Sequence, residues 1–193
     1  MKTRKILCII MVISIMILAL ASCSGKDQPP KGMKKLSSEF TNFNFYIPEE
    51  WTENISTGFV SAYAKDLSNI SIQTMSLSGV FSSGSGYVFY ADNISYSSID
   101  DYFKDNYLKK INTTFSSFEL KEEYTTNQNF GESDKCAKYV YTLDVDETEY
   151  TFLQIFTIYG SNMYIFTYTA ASDNFESHIS EVNNIINNFS FKG

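Results

Sequence analysis

The sequence predicts an α+β domain, an antiparallel β-sheet flanked by helices, behind a cleaved N-terminal signal. Three observations predict it. Apolar and polar residues alternate with period two in several stretches, most clearly Ala137–Val145. Two other stretches carry apolar residues at helical spacing. The chain also opens on a basic, then greasy, then small-residue run, the order of a secretory signal.

Lys2, Arg4 and Lys5 supply the basic start, and Ile6–Ala21 is apolar except for Ser14. These sixteen residues fall short of the roughly 20 that a spanning helix needs. A short uncleaved anchor helix is the competing reading. The exit, Leu20-Ala21-Ser22-Cys23, resembles the lipobox of bacterial lipoproteins. The resemblance implies that the Cys23 thiol receives a diacylglycerol and that cleavage makes Cys23 the first residue. Residues 1–22 are then a signal peptide, and the protein is lipid-anchored on the outer face of the cell membrane. One acyl chain holds a protein marginally and two hold it stably, at about 0.8 kcal/mol per buried CH₂.

Residues 23–38 read as the lipidated cysteine and a flexible basic linker. Pro29, Pro30, Gly25 and Gly32 break any periodicity there. Fifteen flexible residues reach roughly 20 Å on average, so the domain is expected close to the membrane. The full chain carries a net charge of −7, which becomes −10 once Lys2, Arg4 and Lys5 are gone. Ser24–Ser38 contributes +3 and Glu39–Gly193 contributes −13. A domain so acidic repels phosphate backbones, which excludes nucleic acid as a partner. The linker lysines either meet anionic lipid, at about 1 kcal/mol each, or merely keep a tether soluble.

Residues 39–193 are long enough for one domain with a sizeable core. Cys8 is removed and Cys23 is lipidated, so Cys136 is left as a free thiol and no internal disulfide is available. Packing must hold the fold.

The elements follow in order. Phe43, Phe45 and Ile47 alternate with Asn44 and Tyr46 as a strand, and Pro48 ends it. Phe59–Lys65 and Ile70–Leu77 are strands with a turn between them. Gly79–Ser97 is Gly/Ser-rich and then aromatic; it is a long loop or hides one strand at Tyr87–Ala91. Ser98–Phe115 is a helix that Ser98 caps, with Asp101 three residues on, and Ile99, Tyr102, Phe103, Tyr107 and Ile111 share one face. Four strands follow: Phe118–Thr126, Ala137–Val145, Tyr150–Tyr159 and Asn162–Ala170. Asp146–Glu149 turns the chain before the third, and Gly160-Ser161 carries a type II′ hairpin signal before the fourth. Ser172–Asn188 is the closing helix, capped by Ser172 or Asp173, with Phe175, Ile179, Val182, Ile186 and Phe189 as one apolar stripe.

The opening Phe43-Asn44-Phe45-Tyr46-Ile47-Pro48-Glu49-Glu50-Trp51 resembles the F-x-F-x-I-P-x-x-W start of PsbP-like domains. The run from Phe175 to Phe189 is similar to that family's last helix and aromatic. The resemblance spans residues 39–191. It implies an α/β/α sandwich and a non-enzymatic protein that assists a complex at a membrane face.

No cofactor or metal site is legible. His178 is the one histidine and lacks sequence neighbours for a metal site, a base or a triad, so it reads as a packing residue. Ser82-Ser83-Gly84-Ser85-Gly86 is no nucleophile elbow. Cys136, between Lys135 and Lys138, reads as a small core filler rather than a reactive thiol. Asp144, Asp146, Glu147 and Glu149 lack the rest of a calcium loop and read as a solvated turn.

What remains is aromatic excess, 14 Tyr and 16 Phe. The stretch carrying Val80, Phe81, Tyr87, Phe89 and Tyr90 mixes Tyr, Gly and Ser as binding loops do. Either it contacts a partner, or its aromatics plug back into the core. The expectation for the whole is a membrane-anchored, non-enzymatic module for a protein partner, using one sheet face or this loop. The alternatives are a small-molecule or carbohydrate binder with exposed tyrosines and, last, a hydrolase built on His178.

Overall fold

The period-two stretches become a seven-stranded antiparallel sheet. In the computed structural model, residues 28–36, 41–56, 59–83, 86–115, 117–124, 130–131, 133 and 136–192 are described. The expected signal segment, Cys23 and the first part of the expected linker lie outside them, as do Thr125 and Thr126 of the expected fourth strand. The folded unit is Gly32–Gly193.

The strands are β1 (Met33–Lys35), β2 (Phe43–Asn44), β3 (Tyr46–Pro48), β4 (Thr52–Ser56), β5 (Phe59–Tyr63) and β6 (Asn69–Ser76). Then come β7 (Gly79–Ser83), β8 (Gly86–Ala91), β9 (Ile94–Tyr96), β10 (Glu119–Tyr124) and β11 (Cys136–Val145). Last are β12 (Thr148–Tyr159), β13 (Asn162–Ala171) and β14 (Ser190–Phe191). The main sheet has the order β10-β11-β12-β13-β6-β5-β4. Helix α1 spans 99–114, with a wider π-type turn at Phe103–Tyr107. Helix α2 spans 172–187, beginning as a 3₁₀ turn at Ser172–His178 and continuing as α-helix from Ile179.

Strand alternation sends side chains to two cores. Tyr139, Tyr141, Phe156 and Ile165 point to one face, where they meet Ile99, Tyr102 and Phe103 of α1 and Phe89 of the small β7-β8-β9 sheet. Leu153, Ile155, Phe166 and Tyr168 point to the other. There they meet Phe43, Phe45 and Ile47 and the Val182, Ile185 and Phe189 face of α2. The sheet is therefore buried on both sides, the α/β/α sandwich that the PsbP-like resemblance implied. Each large core side chain contributes about 1.5–3 kcal/mol on burial.

Tight turns fix the register. Gly160 has φ +61 and joins Tyr159 to Asn162, the expected type II′ geometry. Asp146 and Glu147 both have positive φ and join Val145 to Thr148 as a type I′ turn. The turn is thus two residues, and Thr148 and Glu149 belong to β12 rather than to the four-residue turn expected.

Four other expectations are corrected. Met33–Lys35, assigned to the linker on composition, pairs antiparallel with Tyr46–Pro48, and Met33 and Leu36 are buried. Two apolar side chains among lysines were enough to seat this strand. Gly79–Ser97 is a three-stranded meander, whose middle strand is the one suspected at Tyr87–Ala91. Neither Ser172 nor Asp173 caps α2, because its first turn is 3₁₀ and Ser172 Oγ instead lies 2.8 Å from Thr151 Oγ1. Ile185, not Ile186, sits at the centre of the α2 stripe and is fully buried. The cap of α1 is as expected: Ser98 Oγ accepts from the Asp101 N–H at 3.0 Å, while the Asp101 carboxylate is held by Ser97 Oγ.

Candidate functional site

The five residues expected as a binding loop are divided by strand alternation. Val80, Phe89 and Tyr96 are cross-strand partners on the inner face of the meander. Phe89 is fully buried, stacking on Tyr96 at 5.5 Å and on Tyr87 at 6.1 Å. Val80 and Tyr87 pack partly into the same core. Phe81 and Tyr90 point outward, 59% and 37% exposed. Their rings meet edge-on at 6.0 Å, a favoured aromatic geometry.

Gly79 makes that pair possible. A Cβ there would lie 2.6 Å from Phe81 Cε2, so the Phe81 ring rests over the bare glycine backbone. Gly79 is opposite Tyr90 in the register, and Val88 is opposite Phe81. Phe81, Val88 and Tyr90 thus form one outward strip. Val88 had no signal of its own in the sequence. The strip belongs to a run, residues 67–91, that holds no Asp, Glu, Lys, Arg or His in a domain otherwise rich in acid. That run was a signal available in the sequence and went unread.

His178 sits at the junction of the two parts of α2. Its Nδ1 lies 2.6 Å from Glu181 Oε2 and its Nε2 lies 3.2 Å from Asp66 Oδ2. The Trp51 ring meets it edge-on at 5.5 Å. Partial burial pulls the imidazole pKa down, but the Glu181 and Asp66 hydrogen bonds and charges outweigh it and raise the pKa above the ordinary 6.5. Burial pushes Asp66 up, yet its bonds from Ser68 and His178 outweigh that and hold it below its ordinary 3.8. Both ring nitrogens face carboxylates, so a serine or cysteine nucleophile could reach the ring only by displacing one of them. The site is built as a clasp between α2 and the β5–β6 loop.

Cys136 is buried at the start of β11. Asp144, Asp146, Glu147 and Glu149 are exposed at the β11–β12 turn. Among the described residues no group of three or more His, Cys, Asp or Glu is placed to hold a metal ion. No helix among them is long and apolar enough to cross a membrane. A buried polar network does exist beneath α1. Tyr141 donates to Gln154 Oε1 at 3.0 Å, and Gln154 Nε2 donates to Tyr107 at 2.8 Å and Thr167 at 3.0 Å. Burial pushes the Tyr141 hydroxyl pKa far up, so that hydroxyl stays protonated as a donor.

On the α2 side of the sheet lies an open trough of 390 Å³. Its floor is Val140, Thr142, Thr151 and Leu153; α2 forms one wall and the β10 edge borders the other side. Sequence reading missed it, because its lining comes from four separate elements.

No family model and no curated protein matches the chain. Solved structures do. Cyanobacterial PsbP (CyanoP) from Synechocystis sp. PCC 6803 superposes with a TM-score of 0.57 at 15% identity, covering 88% of this chain and 97% of that one. The Ran-binding protein Mog1p of Saccharomyces cerevisiae gives 0.54 at 6% identity, covering 82% and 95%. At such identities the likeness concerns the fold alone: this chain has a PsbP-like α+β fold.

Proposed function

We propose that the protein is a lipid-anchored, non-enzymatic module on the outer face of the cell membrane, and that it engages a protein partner through the Phe81–Val88–Tyr90 strip. The observation that carries the reading is the strip itself. Two aromatic rings stand in solvent on a paired, rigid strand surface within an uncharged run. Rigid aromatic anchors of this kind carry binding energy at low entropic cost.

The anchor half of the proposal is supported by the lipobox at Leu20–Cys23 and by the basic run behind it. Because β1 starts at Met33, the tether from Cys23 is shorter than composition suggested. Nine residues, Ser24–Gly32, separate Cys23 from that strand. The non-enzymatic half is supported by His178, whose ring nitrogens are both turned to carboxylates. A PsbP-like fold by itself transfers no partner.

Photo-crosslinking from a benzoylphenylalanine placed at position 81, in cells carrying the full precursor, tests the reading. A discrete protein adduct that is lost when the probe is moved to buried position 103 supports it. Equal labelling from both positions, or lipid adducts alone, counts against it.

A further inference from the structure

We propose a second site, independent of the membrane anchor and of the aromatic strip: the open sheet face formed by β4, β5 and β6 binds a neutral glycan, an extended β-1,4-linked chain. Helix α1 and the β7–β8–β9 meander cover only part of their side of the main sheet. No residue of β4 or β5 joins the core beneath them. On the other side β5 is fixed, because Val60 and Ala62 are buried in the α2-side core. Strand alternation then turns Phe59, Ser61 and Tyr63 onto the uncovered side.

Three features give the ligand its class. The first is charge. The register aligns three alternate positions on each strand, within Thr52–Ser56, Phe59–Tyr63 and Asn69–Gln73, and all nine are Thr, Ser, Asn, Gln, Phe or Tyr. Glu53, the one charged residue within these spans, is opposite Ala62 and faces the other way. The residues Glu39–Gly193 carry −13 in all. An uncharged face in so acidic a domain fits an uncharged ligand: it gives a phosphate or carboxylate no cation and an ammonium no carboxylate. The second feature is hydrogen bonding. Asn54 and Gln73 are exposed, and their side-chain amides bond to no other described residue. Each amide both donates and accepts, as a sugar hydroxyl does, and the serine and threonine hydroxyls around them match it in the same way.

The third feature is aromatic spacing. Phe59 and Tyr63 are 40% and 41% exposed. They stand four residues apart on one strand, about 13 Å at about 3.3 Å per residue. An aromatic ring presents a negative face, against which the C–H groups of a pyranose ring stack. No single sugar reaches both rings, and a short oligosaccharide does. A β-1,4 linkage makes that oligosaccharide a flat, extended ribbon, which lies along a sheet; a coiled α-linked chain touches one ring at a time. A protein partner suits the face less well. Interface cores are apolar and closely packed, and on this face only Ser61 lies between the two rings.

Titration calorimetry of the full chain with cellohexaose and with glucose, in a detergent that has no sugar head group, is the test. Cellohexaose is expected to bind with a Kd below about 1 mM, and glucose at least about tenfold more weakly, since it meets one ring only. Tyr63→Ser removes a ring and is expected to weaken cellohexaose about tenfold. Gln73→Ala removes an amide and is expected to weaken it about fivefold. Gln73 is exposed and its amide bonds to no neighbour, so this variant carries the test if Tyr63→Ser fails to fold. Ser61→Arg sets a long cation between the rings and is expected to abolish binding. The proposal is overturned if cellohexaose at about 5 mM gives no binding. It is equally overturned if glucose and cellohexaose bind alike, or if folded Gln73→Ala and Ser61→Arg variants bind as the wild type does.

Discussion

His178 Nε2 lies 3.2 Å from Asp66 Oδ2, tying the closing helix to a loop 112 residues earlier in the chain. Glu181 holds the other ring nitrogen at 2.6 Å. The imidazole pKa is raised in the folded state and the Asp66 pKa is lowered. A raised histidine contributes fully below its unfolded value near 6.5, and the contribution fades as pH rises through the folded value. A lowered aspartate contributes above 3.8 and fades as pH falls through its folded value. The clasp is therefore strongest between about pH 4 and 6.5. His178→Gln should cost at most about 1 kcal/mol there, since solvent screens a partly exposed pair. Thermal unfolding from pH 5 to 9 should show the wild-type advantage shrinking as pH rises. An advantage that grows with pH would sink this account of the clasp.

Gly131 has φ +62, and a Cβ on it would lie 2.6 Å from the Phe189 ring, which itself stacks on Phe130 at 4.3 Å. Gly131→Ala therefore combines backbone strain with overpacking, and about 1–3 kcal/mol of stability should go. Chemical denaturation measures it. A change below about 0.5 kcal/mol, the size of an ordinary surface substitution, would show that this end of the core is not closed around Phe189.

Val182 is fully buried in the α2 face against the sheet. Val182→Asp places a carboxylate in that buried face, and the domain should unfold or release the helix. Circular dichroism with limited proteolysis distinguishes the two. A variant as protease-resistant as wild type would contradict the packing.

Phe81 and Tyr90 contribute little to the fold if their role is outward. Phe81→Ser with Tyr90→Ser should leave the unfolding midpoint within the range of surface substitutions, about 0.5 kcal/mol, while removing the crosslinkable partner. A loss of several kcal/mol would mean the pair is structural.

Much of this arrangement was legible in the sequence because period and chemistry agreed. Ala137–Val145 alternates cleanly and lies within β11; Gly160-Ser161 reads as a II′ turn and forms one. Ser98 reads as a cap and is one. What escaped was set by distant partners. β4 has five exposed residues and no alternation to reveal it; only pairing with β5 makes it a strand. β1 is short and lysine-rich, and its strand character comes from Pro48, Ile47 and Tyr46 across from it. Val80 and Phe81 were grouped as one loop, and only the meander register sends one in and the other out. The trough depends on a bulge at Lys121 and a helix beginning at Ser172, which no local pattern joins.

Extraction of the native protein from membranes and measurement of its intact mass tests the central claim most directly. The account predicts a chain that begins at Cys23 and carries a diacylglycerol on that residue. A chain that begins at Met1, or a Cys23 without lipid, would contradict it.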